Sequence, residues 1–202
     1  MLARDNRRPT ASSRRRGTGE HREQQAGSPA GGWLVRRAVA ADAPALAELD
    51  SLCHVLGSAG WSLAQFQLLL QPPPPPPHHL LLVCVSAASD GPPGTAGTLP
   101  VPLHGFASAV LLPGEVQLEN LAVHPGMHGR GVGTLLLRSL LEAGRGGEND
   151  FFLEVKEGNR AALRLYEGAG FLKVGLRRRY YPDGSHAVIM QRTPGHTRVR
   201  TQ

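Results

Sequence analysis

Alternating glycines form the part of the sequence whose residue types and spacing point most directly to chemistry. The stretch 118–134 reads LENLAVHPGMHGRGVGT, in which Gly129, Gly131 and Gly133 alternate across the start of a helical pattern. The first N–H groups of a helix have no partners inside it, and the helix dipole gives that end a partial positive charge. Glycine also lets the backbone come close to an anion. The stretch 129–134 therefore predicts a cradle for a pyrophosphate.

The elements on both sides would position this cradle. The apolar run 118–123 is typical of a strand, and Pro125 ends it because proline has no N–H for the strand ladder. From Val132 the apolar residues recur at the i, i+3, i+4 spacing of one helical face. That face is predicted to contain the following residues: Val132, Leu135, Leu136, Ser139 and Leu140.

Two other glycine-rich phosphate sites fit the sequence less well. A dinucleotide site needs G-x-G-x-x-G soon after its strand, and Thr134 stands where the last glycine would be. Glu154 does follow at about the 20-residue spacing of that fingerprint. The preceding sequence, however, indicates an antiparallel run where that fold places its first β–α unit. A P-loop needs Lys followed by Ser or Thr after the glycines, and neither pair is present.

The charge of the chain lies in its ends. Of the formal net charge of +6, residues 1–32 carry seven Arg against three acids, and Arg198 and Arg200 add two more. The stretch 33–192 holds 13 basic and 13 acidic residues, so it is neutral. Basic tails on a neutral core favour contact with a polyanion or a targeting role over direct DNA binding.

Length and composition predict one domain at 33–192, between a tail at 1–32 and a tail at 193–202. Residues 1–32 are polar, Arg- and Ser-rich and without periodicity, so we expect them to be disordered, either as a species-specific tail or as a transit peptide for a mitochondrion or plastid. Otherwise we expect a cytoplasmic monomer. No apolar run reaches the roughly 18 residues of a membrane span, so no association with a membrane is expected. Cys53 and Cys84 lie in apolar surroundings, which favours buried thiols in a reducing compartment.

In the first half of the domain, the sequence predicts short helices and strands that pair with the next strand along the chain. Asp42 is interpreted as a helix N-cap, and Trp61–Leu70 as a second short helix. Pro72–Pro77, with His78 and His79 after it, is interpreted as an extended connector with solvated histidines. Further elements are a strand at 33–39, a helix face of Leu46, Leu49, Cys53 and Leu56, strands at 80–86 and 104–112, and an insertion at 87–103. The last two strands and 118–123 have no helix between them, so they should pair antiparallel.

The second half predicts a β–α–β–α–β–β order. The strand 151–155 should lie parallel to 118–123, because a helix joins them. Asn159 then caps a helix that Gly170 ends. Strands at 171–176 and 186–191 are linked by YYPDG, which is typical of a turn. The predicted fold is therefore a mixed α/β sheet with antiparallel N-terminal strands.

The residues from His128 to Gly133 resemble the signature Q/R-x-x-G-x-G/A of the GNAT superfamily of acyl-CoA-dependent N-acetyltransferases, with His in place of Gln or Arg. The stretches LEVKEGNRAALRLYEGAGF at 153–171 and GLRRRYYPDGSHAVIM at 175–190 are similar to RimI-type members, which acetylate the N-terminal alanine of a small-subunit ribosomal protein. Gly60-Trp61-Ser62 resembles the P-W-S of those enzymes. His186 stands where they usually have an acid. The resemblance implies a single GNAT domain in which a splayed parallel strand pair binds acyl-CoA.

The resemblance also implies roles for individual residues. Glu154 matches the general base and Tyr166 the general acid. Acetyl-CoA contacts would fall on the following residues: Leu121, Ala122, Val123, Gly129, Arg130, Gly131, Val132, Gly133, Thr134 and Asn159. The reaction needs such groups, because a protonated α-amine cannot attack a thioester and a departing thiolate needs a proton.

Several alternatives remain open from the residues alone. A strand-end glutamate is most often solvated, and a tyrosine on a helix face most often packs in the core. Arg177–Arg179 could be a solvated strand edge or could meet an acidic or RNA-associated substrate. Direct attack of the amine is favoured over a cysteine intermediate, and no metal is expected because no ligand cluster has the right spacing. The function could instead be acetylation of Lys side chains or small amines, or non-catalytic binding of CoA or the ribosome.

Overall fold

The computed structural model describes residues 32–53, 60–71, 78–87, 102–144 and 149–194. The predictions for the N-terminal tail, for the polyproline segment, for nearly all of the 87–103 insertion, for most of the C-terminal tail and for Leu56 lie outside the described residues. The described part forms a seven-stranded sheet with four α-helices, which confirms the mixed α/β fold. None of these helices is both long enough and apolar enough to cross a membrane.

The elements follow the predicted order. The strands are β1 (Trp33–Arg37), β2 (His78–Ser86), β3 (Gly105–Leu112), β4 (Glu115–Val123), β5 (Asp150–Lys156), β6 (Leu172–Arg177) and β7 (Ala187–Arg192). The α-helices are α1 (Ala43–Cys53), α2 (Leu63–Leu69), α3 (Val132–Ala143) and α4 (Arg160–Gly168). The sheet order is β1-β2-β3-β4-β5-β7-β6. Among the strands of the described residues, only β4 and β5 are parallel neighbours, as expected for strands joined through a helix.

The parallel pair separates partway along its length. Pairing between β4 and β5 runs from Glu115–Asp150 to Leu118–Leu153, although β4 continues to Val123. At the same level the β3–β4 register shifts, which leaves Glu119 as the extra residue of a bulge. A bulge bends its strand and increases the local twist. The two strands therefore diverge beyond Leu118 and Leu153, and the gap between them opens towards the glycine loop.

The two faces of the sheet are covered differently. On one face α3 and α4 pack against the sheet, where the fully buried Leu136 and Leu140 of α3 lie in one cluster with the nearly buried Phe151 of β5. On the other, α1 and α2 pack Leu46 and Phe66 against β2 and β3. Burial of each such side chain contributes roughly 1.5–3 kcal/mol. The cluster beneath α1 and α2 contains none of the described residues of β5, β6 or β7. Alternate residues of β5 are half-buried, and all residues of β6 are exposed.

Three local predictions were wrong in detail. Asp42 does not cap α1: its carboxylate accepts from the Val39 N–H at 2.8 Å and pairs with Arg36 at 2.7 Å, so it ties β1 to a 3-10 turn before the helix. His78 and His79 begin β2 instead of a connector, because they pair with β3. The buried face of α3 is also rotated from the predicted one, and contains Val132, Leu136, Leu137, Leu140 and Leu141.

Candidate active site

The glycine loop adopts the conformation that an anion cradle needs. Gly129 has a φ of 72° and Gly131, the N-cap of α3, has a φ of 84°. L-residues adopt this left-handed region only at a cost, so glycine is favoured at both positions. A Cβ added at either would meet no atom within 4 Å, which means that open space lies beside the backbone. The loop and the first turn of α3 therefore fit a pyrophosphate.

A cleft of about 990 Å³ lies between the loop and the diverging strands. It brings together the following sequence-predicted residues: Leu121, Ala122, Val123, Gly129, Gly131, Val132, Gly133, Thr134, Glu154, Asn159 and Tyr166. Arg130 is exposed and does not line the cleft. Eleven of the twelve predicted site residues thus border one cavity, although they come from β4, the loop, α3, β5 and α4.

The end of β4 presents backbone groups to this cleft. The His124 N–H donates to the His104 carbonyl at 2.9 Å, so position 124 faces β3. Backbone groups alternate in direction along an antiparallel strand, which points the N–H and C=O of Val123 the other way, towards the gap. The Val123 carbonyl accepts from His128 Nε2 at 2.9 Å and from the Cys53 thiol at 3.4 Å. His128, which replaces the usual Gln or Arg, therefore ties the loop to the strand.

Glu154 lies where the two strands separate. It is the first residue of β5 beyond the last parallel pair, and its neighbours Leu153 and Val155 point into the buried core. Its side chain is on the opposite face and is 28% exposed. Oε1 accepts from Arg177 Nε at 2.9 Å. The carboxylate is thus partly desolvated, accessible to the cleft and held by one cation.

Tyr166 approaches the same cleft from α4. Asn159 Oδ1 caps the helix by accepting from the Ala162 N–H at 3.1 Å, as predicted. The Tyr166 ring packs edge-on against Phe171, with centroids 5.8 Å apart, and only 7% of the residue is exposed. Burial, with a smaller contribution from Tyr181, raises the pKa of the phenol well above its ordinary value. The phenol therefore stays protonated and can act as a donor.

A second groove of about 690 Å³ opens on the uncovered face of the sheet. Side chains from β4, β5 and β7 form its floor, including Gln117, Phe152 and Ile189. It meets the first cleft at three residues that line both, namely Asn120, Glu154 and Tyr181. A ligand in the groove and a ligand in the cleft would therefore meet beside Glu154.

Sequence reasoning missed Cys53, Asn120 and Tyr181. Cys53 lines the first cleft although it is far from the motif in sequence, and burial and Asp50 raise the pKa of its thiol. Burial also raises the pKa of Cys84 to about 11. Neither thiol is activated as a nucleophile, since the thiolate is the reactive form. Tyr181 could have been noted within the YYPDG turn, but nothing local marks Asn120.

The turn that carries Tyr181 is held by several polar contacts. Lys156 pairs with Asp183, and its Nζ lies 5.6 Å from the centre of the Tyr181 ring. The Lys156 and Ser185 contacts lower the pKa of Asp183. His186 Nδ1 accepts from the Arg179 N–H at 3.2 Å, so the histidine at the family's acidic position helps to close the turn. Within the described ranges no group of three or more His, Cys, Asp or Glu could hold a metal ion.

Comparison with known proteins agrees with this fold. The sequence model of the acetyltransferase (GNAT) family matches residues 54–171, which is more than half of the chain. The chain therefore belongs to the GNAT acetyltransferase family.

The matches to individual relatives cover less of this chain than the family match does. The N-alpha-acetyltransferase RimI of Mycobacterium tuberculosis (strain ATCC 25618 / H37Rv) is 48% identical over 84 residues, which is 41% of this chain and 52% of that protein. The ribosomal protein bS18-alanine N-acetyltransferase of Escherichia coli (strain K12) is 38% identical over 92 residues, 44% of this chain and 62% of that protein. The matches thus span about half to three-fifths of these relatives.

A solved structure extends the likeness over most of the fold. The crystal structure of the ribosomal-protein-S18-alanine N-acetyltransferase from Escherichia coli superposes with a TM-score of 0.63 and 26% identity, and covers 84% of this chain and 99% of that one. Arabidopsis thaliana NAA60, at a TM-score of 0.62 and 15% identity, shares the fold.

Proposed function

We propose that this protein is an acetyl-CoA-dependent N-terminal acetyltransferase that acts on the N-terminal alanine of a small-subunit ribosomal protein. The observation that supports this most strongly is the meeting of two cavities at Glu154. One cavity has an anion cradle at its end, and the other is an open groove on a sheet face. A nucleotide thioester and a peptide amine would thus reach one carboxylate from two sides.

Acetyl-CoA fits the first cleft through the chain's own backbone. The N–H groups of 129–134 would hold the pyrophosphate, and the exposed edge of β4 at Leu121 and Val123 would hydrogen-bond the pantetheine arm. Asn159 borders the cleft at the start of α4. When bound, the co-substrate supplies an activated acetyl group, and it requires no metal ion.

Glu154 has the position of a general base. An α-amine has a pKa of about 7.7–8.0, so it is partly protonated at neutral pH and must lose a proton to attack. A carboxylate in a partly desolvated cleft can accept that proton directly or through a water. The neutral amine then attacks the thioester directly, forming the amide bond as the carbon–sulfur bond breaks. The Val123 N–H, which points into the gap, can stabilise negative charge on the carbonyl oxygen.

Tyr166 has the chemistry of a proton donor to the departing sulfur. Its phenol is held protonated by burial and borders the cofactor cleft. A thiolate that leaves into a low-dielectric cleft is stabilised by such a donor. The raised pKa makes complete proton transfer to a thiolate unfavourable in the ground state. The transfer or hydrogen bond is therefore expected to accompany bond cleavage rather than follow it.

The substrate is inferred from the relatives and from the open groove. The named relatives include bS18-alanine N-acetyltransferases, and the groove follows β4 from Glu115 to Asn120, where an extended chain could lie. The experiment is to incubate the protein with acetyl-CoA and a peptide that begins with the alanine of a ribosomal substrate. Free CoA should appear together with peptide acetylated at its first residue, as measured by thiol titration and mass spectrometry.

Matched peptides separate this proposal from its alternatives. A peptide whose N-terminus is blocked should give no turnover, whereas an enzyme for Lys side chains would still acetylate a blocked peptide that contains Lys. If the protein binds acetyl-CoA but releases no CoA when any of these amines is added, it is a CoA-binding protein without this activity. Deletion of 1–32 should leave kcat nearly unchanged, and loss of activity on that deletion would indicate that the tail carries the function.

A further inference from the structure

A fully buried carboxylate connects three elements at the junction of the two cavities. Asp50, on α1, is 0% exposed. Its Oδ2 accepts from the Trp61 N–H at 2.5 Å, and its Oδ1 accepts from Asn120 Nδ2 at 2.9 Å. Asp50 therefore links α1 to the residues before α2 and to β4, immediately after the Glu119 bulge. A buried charge is costly unless its oxygens are hydrogen-bonded, so these contacts stabilise the arrangement.

This contact fixes the orientation of the Asn120 amide. A carboxylate only accepts hydrogen bonds, so Asn120 must present its NH₂ group to Asp50. The carbonyl oxygen then points away from Asp50. Among the residues that the structure describes, this oxygen has no hydrogen-bond partner, whereas Asn120 itself lines both the cleft and the groove.

Asn120 and Glu154, the proposed base, lie on opposite sides of the gap between β4 and β5. Asn120 is two residues beyond the last parallel pair on β4, and Glu154 is one residue beyond it on β5. The two side chains thus flank the opening between the strands from opposite sides. One presents a neutral acceptor of fixed orientation and the other presents a carboxylate. A primary amine has at least two N–H groups that can donate hydrogen bonds, and a single base accepts from only one of them.

We propose that Asn120 Oδ1 accepts a hydrogen bond from the substrate's α-amine, and that Asp50 is a positioning residue that keeps this oxygen turned towards the amine. This inference rests on the proposed N-terminal acetyltransferase function and adds a substrate-binding residue to it. Glu154 accepts the proton that leaves the nitrogen. The bond to Asn120 holds a second N–H, so the nitrogen lone pair is directed to the thioester in the cleft.

The direct test measures binding instead of turnover. Two peptides are compared on the CoA-bound protein: an Ala-initiated peptide, and the same peptide with propionyl in place of alanyl, which lacks the amine. If Asn120 accepts from the amine, the wild-type protein binds the amine peptide more tightly. Asn120→Ala should lose roughly 10-fold of that preference, the size of one hydrogen bond to a charged group, and should bind the propionyl peptide normally. Affinity for CoA should be unchanged.

Gln117→Ala is the matched control, because Gln117 is an exposed amide on the same strand and lines only the groove. It should not alter the preference between the two peptides. An equal loss for both peptides in Asn120→Ala would overturn the proposal and indicate a purely structural residue. If the wild-type protein binds neither peptide but acetylates a small amine, the proposed peptide substrate is wrong, and the same variant is then tested for the KM of that amine.

Asp50→Asn tests the positioning role. An amide at position 50 can donate to Asn120 as well as accept from it, so the Asn120 side chain is free to turn over. We expect a reduced amine preference and a raised peptide KM, with CoA affinity retained as evidence that the variant is folded. An unaltered amine preference in a folded Asp50→Asn protein would contradict the role of Asp50. If this variant does not fold, Asn120→Ala still decides whether the amine is recognised there.

Discussion

Arg177 Nε lies 2.9 Å from Glu154 Oε1, at the point where the cofactor cleft meets the groove. The same guanidinium lies 5.6 Å from the centre of the Tyr180 ring. The sequence had suggested either a solvated strand edge or a contact with an acidic substrate for Arg177. Arg177 lies exposed on the edge strand β6, as the first interpretation predicts, and it also pairs with the residue that we propose as general base. A cation at this position orients the carboxylate without burying it.

Arg177→Gln should therefore affect turnover more than stability. Both partners keep contact with solvent and such pairs contribute little to folding, so the melting temperature should hardly change. Loss of the contact leaves the carboxylate less well oriented, and kcat/KM should fall roughly 3- to 10-fold, as for one modest hydrogen bond. Arg178→Gln, at the exposed turn beside it, is the control. Equal effects of both variants would show that general positive charge is responsible.

Glu154→Gln should abolish most activity while leaving the cofactor bound. The change keeps the shape of the side chain but removes the base, so turnover should fall by roughly 10²–10⁴-fold. Acetyl-CoA affinity, measured by calorimetry, should stay near the wild-type value because the carboxylate lies away from the anion cradle. Glu157→Gln, on an exposed residue just after β5, should have normal turnover. Near-normal activity of Glu154→Gln would assign the base to another group.

Tyr166→Phe should lower kcat with little change in melting temperature. The phenylalanine ring keeps the edge-on packing with Phe171, and only the phenolic proton is lost. A tyrosine with a purely structural role would show the reverse, a stability change with normal kinetics. Kinetics and thermal unfolding of the same preparation distinguish the two. The KM for acetyl-CoA should change less than kcat.

The same residue predicts a stability change at high pH. Burial raises the pKa of Tyr166 in the folded protein, so the folded state keeps a proton that the unfolded chain releases above about pH 10. The stabilisation is complete below that pH and is lost as the pH rises through the folded-state pKa. The free energy of unfolding should fall more steeply above about pH 10 in the wild-type protein than in Tyr166→Phe. Denaturant titrations across this range measure the difference, and parallel curves would contradict it.

Gly131→Val and Gly114→Val form a matched pair for the cradle. Both glycines have positive φ, 84° and 76°, and a Cβ added at either meets no atom within 4 Å. The backbone strain should therefore be similar, roughly 1–2 kcal/mol or more for a branched residue. Only Gly131 borders the cleft, so only Gly131→Val should abolish acetyl-CoA binding. Loss of binding in both variants would mean that strain, not the cradle, is responsible.

Much of the fold and of the cofactor cleft was predictable because it depends on local patterns. The glycine spacing at 129–133, followed by a helical period, specifies a loop and a helix N-terminus independently of the tertiary surroundings. The parallel or antiparallel direction of the pairings from β2 to β5 followed from which connections contain helices. Backbone groups do most of the proposed binding there, so His128 in place of Gln or Arg changes one side chain, which bonds to the Val123 carbonyl, and leaves the backbone of the cradle intact.

The junction of the two cavities was decided by tertiary structure alone. Asp50 and Asn120 are 70 residues apart, and Glu154 meets Arg177 only because β6 lies beside β7 and β7 beside β5. The face of α3 that is buried could not be chosen either, since the leucines of this helix satisfy two neighbouring helical faces. The sequence by itself determined the elements and the anion cradle, because those depend on backbone propensity over a few residues. Only the packed sheet decided which side chains line the junction of the two cavities, because strand divergence at the Glu119 bulge depends on contacts between distant segments.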